Sequence, residues 1–235
     1  MTVPTLFVTG SAERDVTPDR VVVSVSVQTP VMPTPQAALS AAAEARRRLL
    51  GHLQASLADV AISDGRVTTR QEQRQVRTER PGGTETSWEV AGYTGLCLIA
   101  IEADADRAAE IVAAAGAHPD AERVSPAFEV SAALERRTHD ELEREAVRDA
   151  LARAEGLAAA AGMAVGRVVS IGEHGPPPQR PPDYEHMRYS PSVADMSADA
   201  LEEALGELRP EPERRAAEVP VRLELREAGG GGPAA

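Results

Sequence analysis

The sequence predicts an α+β fold, a largely antiparallel sheet with helices packed on one face. Three observations carry this. Segments alternating with period two come in pairs joined by short turns, as in β-hairpins. Segments with an apolar stripe at helical spacing separate those pairs. The stripe of one such segment, Ala146, Ala150, Ala154, Ala158 and Ala161, is almost all alanine, so that helix can lie very close to the sheet it covers. The order reads ββα, ββα, βα, β, an insert, and a last β, which suits antiparallel strands with helices layered on them.

Composition bounds the class. The chain has 235 residues, enough for one large or two small domains with a real core. Aromatics are only 3%, so the core must be built from Val, Leu, Ile and Ala. All 25 basic residues are arginine, a genomic bias before it is a functional signal, and the formal charge of −12 argues against nucleic acid or an anionic membrane as a partner of the whole protein. One cysteine, Cys97, leaves no intramolecular disulfide. Met1–Phe7 has neither the basic leader nor the apolar core of a signal peptide. The longest strongly apolar run, Leu96–Ile101, is far short of the ~20 residues that span a bilayer. The expected setting is cytoplasmic.

Leu6–Arg14 reads as the first strand, and Thr17-Pro18-Asp19 as a turn. Arg20–Gln28 places Val21, Val23, Val25 and Val27 on one face and Ser24, Ser26 and Gln28 on the other. Thr34-Pro35 opens a helix as N-cap and first helical residue, with Ala38, Ala42, Ala45, Leu49, Leu53 and Leu57 inward. Asp64-Gly65 is a turn. Arg66–Arg80 is extended and polar on both faces, Pro81-Gly82-Gly83 turns it, and Thr86–Ala103 returns. Between Gly95 and Ile101 the returning strand is apolar on both sides, which predicts a central strand. The outer half of the hairpin has no side chains to bury it, and projects as an arm.

Asp104 is expected to cap a short helix with Ala108, Ile111, Val112 and Ala115 inward and Gly116 closing it. Arg123–Leu134 reads as a strand and Glu135–Ala161 as the long alanine-faced helix, which Gly162 stops by turning left-handed. Val165–Gly172 is the next strand. Residues 174–216 form a proline-rich, acidic insert, largely irregular, since its prolines preclude a continuous helix or inner strand. Ser197 caps one short helix there. Val219–Arg226 alternates cleanly as the last strand. The domain reading is therefore 1–173 as the first part of one α+β domain, 174–216 as the insert, 217–228 as its closing strand and 229–235 as a flexible tail.

These phrases together resemble the SIMPL-domain family, which includes bacterial oxidative-stress defence proteins and periplasmic or outer-membrane antigens. The residues that carry the likeness are Val8, Gly10 and Pro18-Asp19-Arg20 before the valine strand, Ile62–Thr69 after the first helix, Gly92-Tyr93 entering the apolar strand, Ala146–Glu173 with Gly166, and Val219–Leu225. The resemblance implies an α+β fold, no established catalytic residues, a tendency to oligomerise and a loose link to stress tolerance. The chain departs from the family in showing no export signal and in a longer, more proline-rich insert.

Candidate chemistry is sparse. Cys97, mid-strand among apolar residues, reads as a buried, inert thiol. His139, Asp140 and Glu143 share a helix face with Arg136, Arg137 and Arg144, the pattern of a solvated, salt-bridged surface. His174, Asp183, Glu185 and His186 lack the compact spacing of a dedicated metal site. Phosphate-loop, Rossmann, nucleophile-elbow and zincin motifs are absent from the sequence. No catalytic residue, cofactor or metal is therefore assigned. The arm is the remaining candidate: Arg70, Arg74, Arg77, Arg80 and Trp88 are expected at a contact between copies, because a long unpaired strand edge invites pairing. The reading is a non-enzymatic, self-associating interaction or stress-related module. The alternative is a small-molecule binder or enzyme with a pocket between the sheet and the 174–216 insert, using His174, Tyr184 or His186.

Overall fold

A computed structural model describes residues 3–57, 59–80, 83–172 and 208–228. The elements in chain order are β1 (Thr5–Val16), β2 (Arg20–Gln28), α1 (Pro35–Ser56), β3 (Ala61–Asp64), β4 (Thr68–Arg80), β5 (Gly83–Asp104), a 3₁₀ turn at Ala105–Arg107, α2 (Ala108–Gly116), β6 (Arg123–Glu129), α3 (Ala132–Ala160), β7 (Met163–Ile171) and β8 (Glu213–Glu227). All strand pairings are antiparallel, and the helices pack on sheets, as the α+β expectation requires. The strands divide between two sheets, and the described chain into two compact units.

The first unit holds β1, α3, β7 and β8. Its sheet runs β1-β8-β7, so first and last strands are direct neighbours, Val8 opposite Val221. Ala146, Ala150 and Ala154 of α3 are buried against Val8, Val219, Val221 and Leu223. The alanine stripe does permit close approach, and Gly10 makes room for it. Ala161, expected in the stripe, is exposed instead, because the helix ends at Ala160 and the backbone then turns at Gly162, φ +72°.

Pro220 sits in the middle strand of this sheet, where the missing N–H would normally break a ladder. Its carbonyl accepts from the Gly172 N–H at 3.0 Å, so its nitrogen faces the β7 side, just where the β7 ladder ends at Ile171. On the other side its partner Thr9 turns its own carbonyl outward, following the alternation of an antiparallel ladder. There Arg153 of α3 donates to it at 3.2 Å. The outward N–H of Ser11 is likewise taken by Asp149 at 3.0 Å, and Asp149 pairs with Arg153 at 3.0 Å. One helix face thus covers part of the open β1 edge, a common protection against edge-to-edge association.

The second unit holds β2 to β6 with α1 and α2. The sheet order is β3-β5-β2-β6, with β4 also on β5. Val21, Val23, Val25, Val27, Ile99 and Ile101 face Leu49, Leu53 and Ile111 in a core without aromatic residues among its buried members. Each fully buried Leu, Ile or Val contributes roughly 1.5–3 kcal/mol. Thr34 caps α1 by accepting from the Ala37 N–H at 3.2 Å, and Pro35 opens the helix, both as predicted.

Several expectations are corrected. The first strand is longer than 6–14 at both ends. The strand expected over Arg123–Leu134 stops at Glu129, because Ser131 caps α3 by accepting from the Leu134 N–H at 3.2 Å. Asp104 stands at the cap position of the 3₁₀ turn that precedes α2, not of α2 itself, where Arg107 stands, and it makes no cap bond; its carboxylate pairs with Arg20 at 3.1 Å. The last strand begins at Glu213, inside the expected insert, because Ser11–Val16 of β1 continue to pair with Glu213–Glu218. β5 is central by pairing, yet one face is open and Leu98 is 52% exposed on it. The turn at 81–82, most of the insert with the expected Ser197 cap, and the tail lie outside the described residues.

Candidate interaction surface

The arm is the outer part of β4 and β5. At its root the register shifts between Glu72 and Gln73, with Gly92 opposite Glu72. Gly92 has φ +152°, and a Cβ there would lie 2.5 Å from Val31 Cγ1 and 2.6 Å from the Met32 carbonyl oxygen. Only glycine suits that conformation in that space. Beyond it, among the described residues, β4 and β5 pair only with each other.

A polar anchor holds the root. Glu72 accepts from Arg70 Nε at 2.8 Å and from the Thr94 hydroxyl at 3.1 Å. These bonds, Arg70 first, hold the Glu72 carboxyl below its usual range. Thr94 is itself buried, so the anchor joins the arm to the packed part of β5.

Paired residues share a face of an antiparallel ribbon. Gln75 stands opposite Trp88, Gln73 opposite Val90 and Arg77 opposite Thr86, which gathers Trp88, Val90 and Arg77 on one face. Arg70 and Arg74 lie on the other face, where Arg74 meets Glu89 at 3.6 Å. The structure therefore brings Arg77 and Trp88 together and separates them from Arg70 and Arg74; Arg80 ends β4 opposite Gly83. Trp88 is 66% exposed and Val90 52%. Val90 was not singled out from sequence, although its position two residues from Trp88 on an alternating strand was the available signal.

The other candidates resolve as local structure. Cys97 is buried, its sulfur 3.7 Å from the Gly65 carbonyl oxygen. His139 pairs with Glu143 at 3.1 Å on the exposed face of α3. His174, Tyr184 and His186, and with them any pocket beneath the insert, lie outside the described residues. Among the described residues no three His, Cys, Asp or Glu side chains are grouped to hold a metal, and no helix is long and apolar enough to cross a membrane. One cluster was missed from sequence because its members are far apart in the chain. His52 of α1 lies 2.9 Å from the Ala114 carbonyl oxygen, its ring 5.1 Å from that of His118, and Arg48 holds Asp120 through two hydrogen bonds. Burial pushes the His118 imidazole down, against the pull of Asp120.

The family model described as SIMPL, a protein of unknown function (DUF541), matches residues 6–222. The chain belongs to the SIMPL family. The match begins in β1 and ends in β8, so it takes in parts of both units of this SIMPL protein. No curated protein matches the chain.

Proposed function

We propose that this SIMPL-family protein is a non-enzymatic interaction module that self-associates through the β4–β5 arm, in a stress-related role as the family resemblance implies. The observation that supports it best is the exposed Trp88–Val90 face on a ribbon that, among the described residues, pairs only with itself. Indole and isopropyl groups side by side on a solvated ribbon have nothing to gain from water, and two such ribbons stacked face to face would bury both. Arg77 beside Trp88 suits a contact, since Trp and Arg are enriched among residues that dominate interface energetics. The same face would accept another protein presenting an apolar strand.

Light scattering coupled to size exclusion tests this. The wild type is expected to run as an oligomer, and Trp88→Ser with Val90→Ser as a smaller species with an unchanged far-UV circular dichroism spectrum. A monomeric wild type at the highest soluble concentration overturns the proposal.

A further inference from the structure

Among the described residues, the second unit's sheet has one face covered by α1 and α2 and one face open. On the open face β2, β5 and β6 present a groove of about 520 Å³, whose lining does not include the arm's Trp88 or Val90. The register defines its floor. Ser24 lies opposite Ser125 of β6, and Ser26 is flanked by Leu98 of β5 and Arg123 of β6. Arg66 closes the far side, one residue past Gly65, whose N–H bonds the Leu98 carbonyl at 2.8 Å. With strands spaced about 4.8 Å, the Arg66 and Arg123 backbones stand roughly three spacings apart, about 14 Å.

Many arginines on this acidic chain sit beside carboxylates, among them Arg14, Arg48, Arg107, Arg167 and Arg215. Arg66 and Arg123 are in no ion pair among the described residues, and there the hydroxyls of Ser24, Ser26 and Ser125 are not taken by a protein hydrogen bond. The groove's lining includes one carboxylate, Glu122. Two guanidiniums without an ion-pair partner among the described residues, lining one groove with a row of hydroxyls, complement an anion on charge and on hydrogen bonding together, because both groups donate to carboxylate or phosphate oxygens. The exposed Leu98 at the centre offers an apolar floor for a short carbon skeleton between the acidic ends.

We infer that this groove binds a small acidic metabolite, with Arg66 and Arg123 holding carboxylate or phosphate oxygens and Ser24, Ser26 and Ser125 hydrogen-bonding it from below. The site is independent of self-association through the arm. Titration of the full chain with succinate and, separately, inorganic phosphate, followed by ¹H–¹⁵N chemical shifts, tests it. Saturable shifts concentrated in β2, β5 and β6 are expected with at least one probe, and Arg66→Gln or Arg123→Gln should weaken that binding at least about fivefold. Both side chains are exposed, so the variants should fold. Preference for succinate identifies a dicarboxylate, and preference for phosphate a phosphoryl group. Absence of saturation with both probes overturns the inference. So does an equal loss in Arg47→Gln, on the outer surface of α1, or binding that survives both groove variants.

Discussion

Gly10 of β1 lies directly beneath Ala150 of α3. A Cβ built on Gly10 would fall 1.9 Å from the Ala146 carbonyl oxygen and 2.9 Å from the Ala150 Cβ. The second unit repeats the device with different elements: a Cβ on Gly95 of β5 would fall 2.2 Å from the Ala38 carbonyl oxygen and 2.8 Å from the Ala42 Cβ of α1. In both units a bare strand position meets an alanine helix face. Gly10→Ala or Gly95→Ala must push the helix off its sheet, and overpacking of this kind typically costs ~1–3 kcal/mol, occasionally more. Gly51→Ala is the contrast, since nothing lies within 4 Å of that position in mid-helix α1, and it should stabilise by roughly 0.5–1 kcal/mol. Urea midpoints should move in opposite directions.

Ala154 is fully buried against the first sheet. Ala154→Leu should therefore damage the fold more than Ala154→Gly. The leucine must enter a fully buried site and should cost ~1–3 kcal/mol or more, while the glycine costs ~1 kcal/mol through helix propensity plus one lost methyl contact. A leucine variant melting at the wild-type temperature would show that α3 can shift along its sheet.

Asp149 and Arg153 hold the outward backbone groups of Ser11 and Thr9. Asp149→Ala with Arg153→Ala should leave the core intact and uncover that stretch of strand edge. The expected outcome is faster aggregation on heating with little change in the unfolding midpoint, read by light scattering against circular dichroism. Equal aggregation rates would show that the edge is blocked by other means.

Stability should depend on pH through His118. Its side chain is 14% exposed, and burial lowers its pKa below the ordinary value near 6.5. The unfolded chain then binds the proton more readily than the folded one. The contribution of His118 is thus fully present above the unfolded pKa and is lost as pH falls from there through the folded pKa. The facing groups are Asp120, which pulls the His118 pKa up, and His52 and Arg48, which push it down. In His118→Gln the decline in melting temperature below pH 6.5 should flatten. An unchanged slope would assign the acid sensitivity to other groups.

The amino-acid sequence by itself determined most of the local structure. The valine alternation of β2, the Thr34-Pro35 start of α1, the alanine stripe of α3 and the Gly162 stop all follow from side-chain periodicity and backbone preference, which act over a few residues. The α+β class and the SIMPL resemblance follow from their order. What only the tertiary structure decided rests on distant pairings. β1 meets β8 across nearly the whole chain, which lengthens the last strand to Glu213 and divides the strands between two sheets. Ser131 ends β6 because α3 has somewhere to dock. The arm's arginines separate onto two faces, and Arg66 joins Arg123 across one groove, because register between strands sets which side chains share a surface. Nothing in a residue's immediate neighbours carries that register; it is set where the buried faces of whole elements come together.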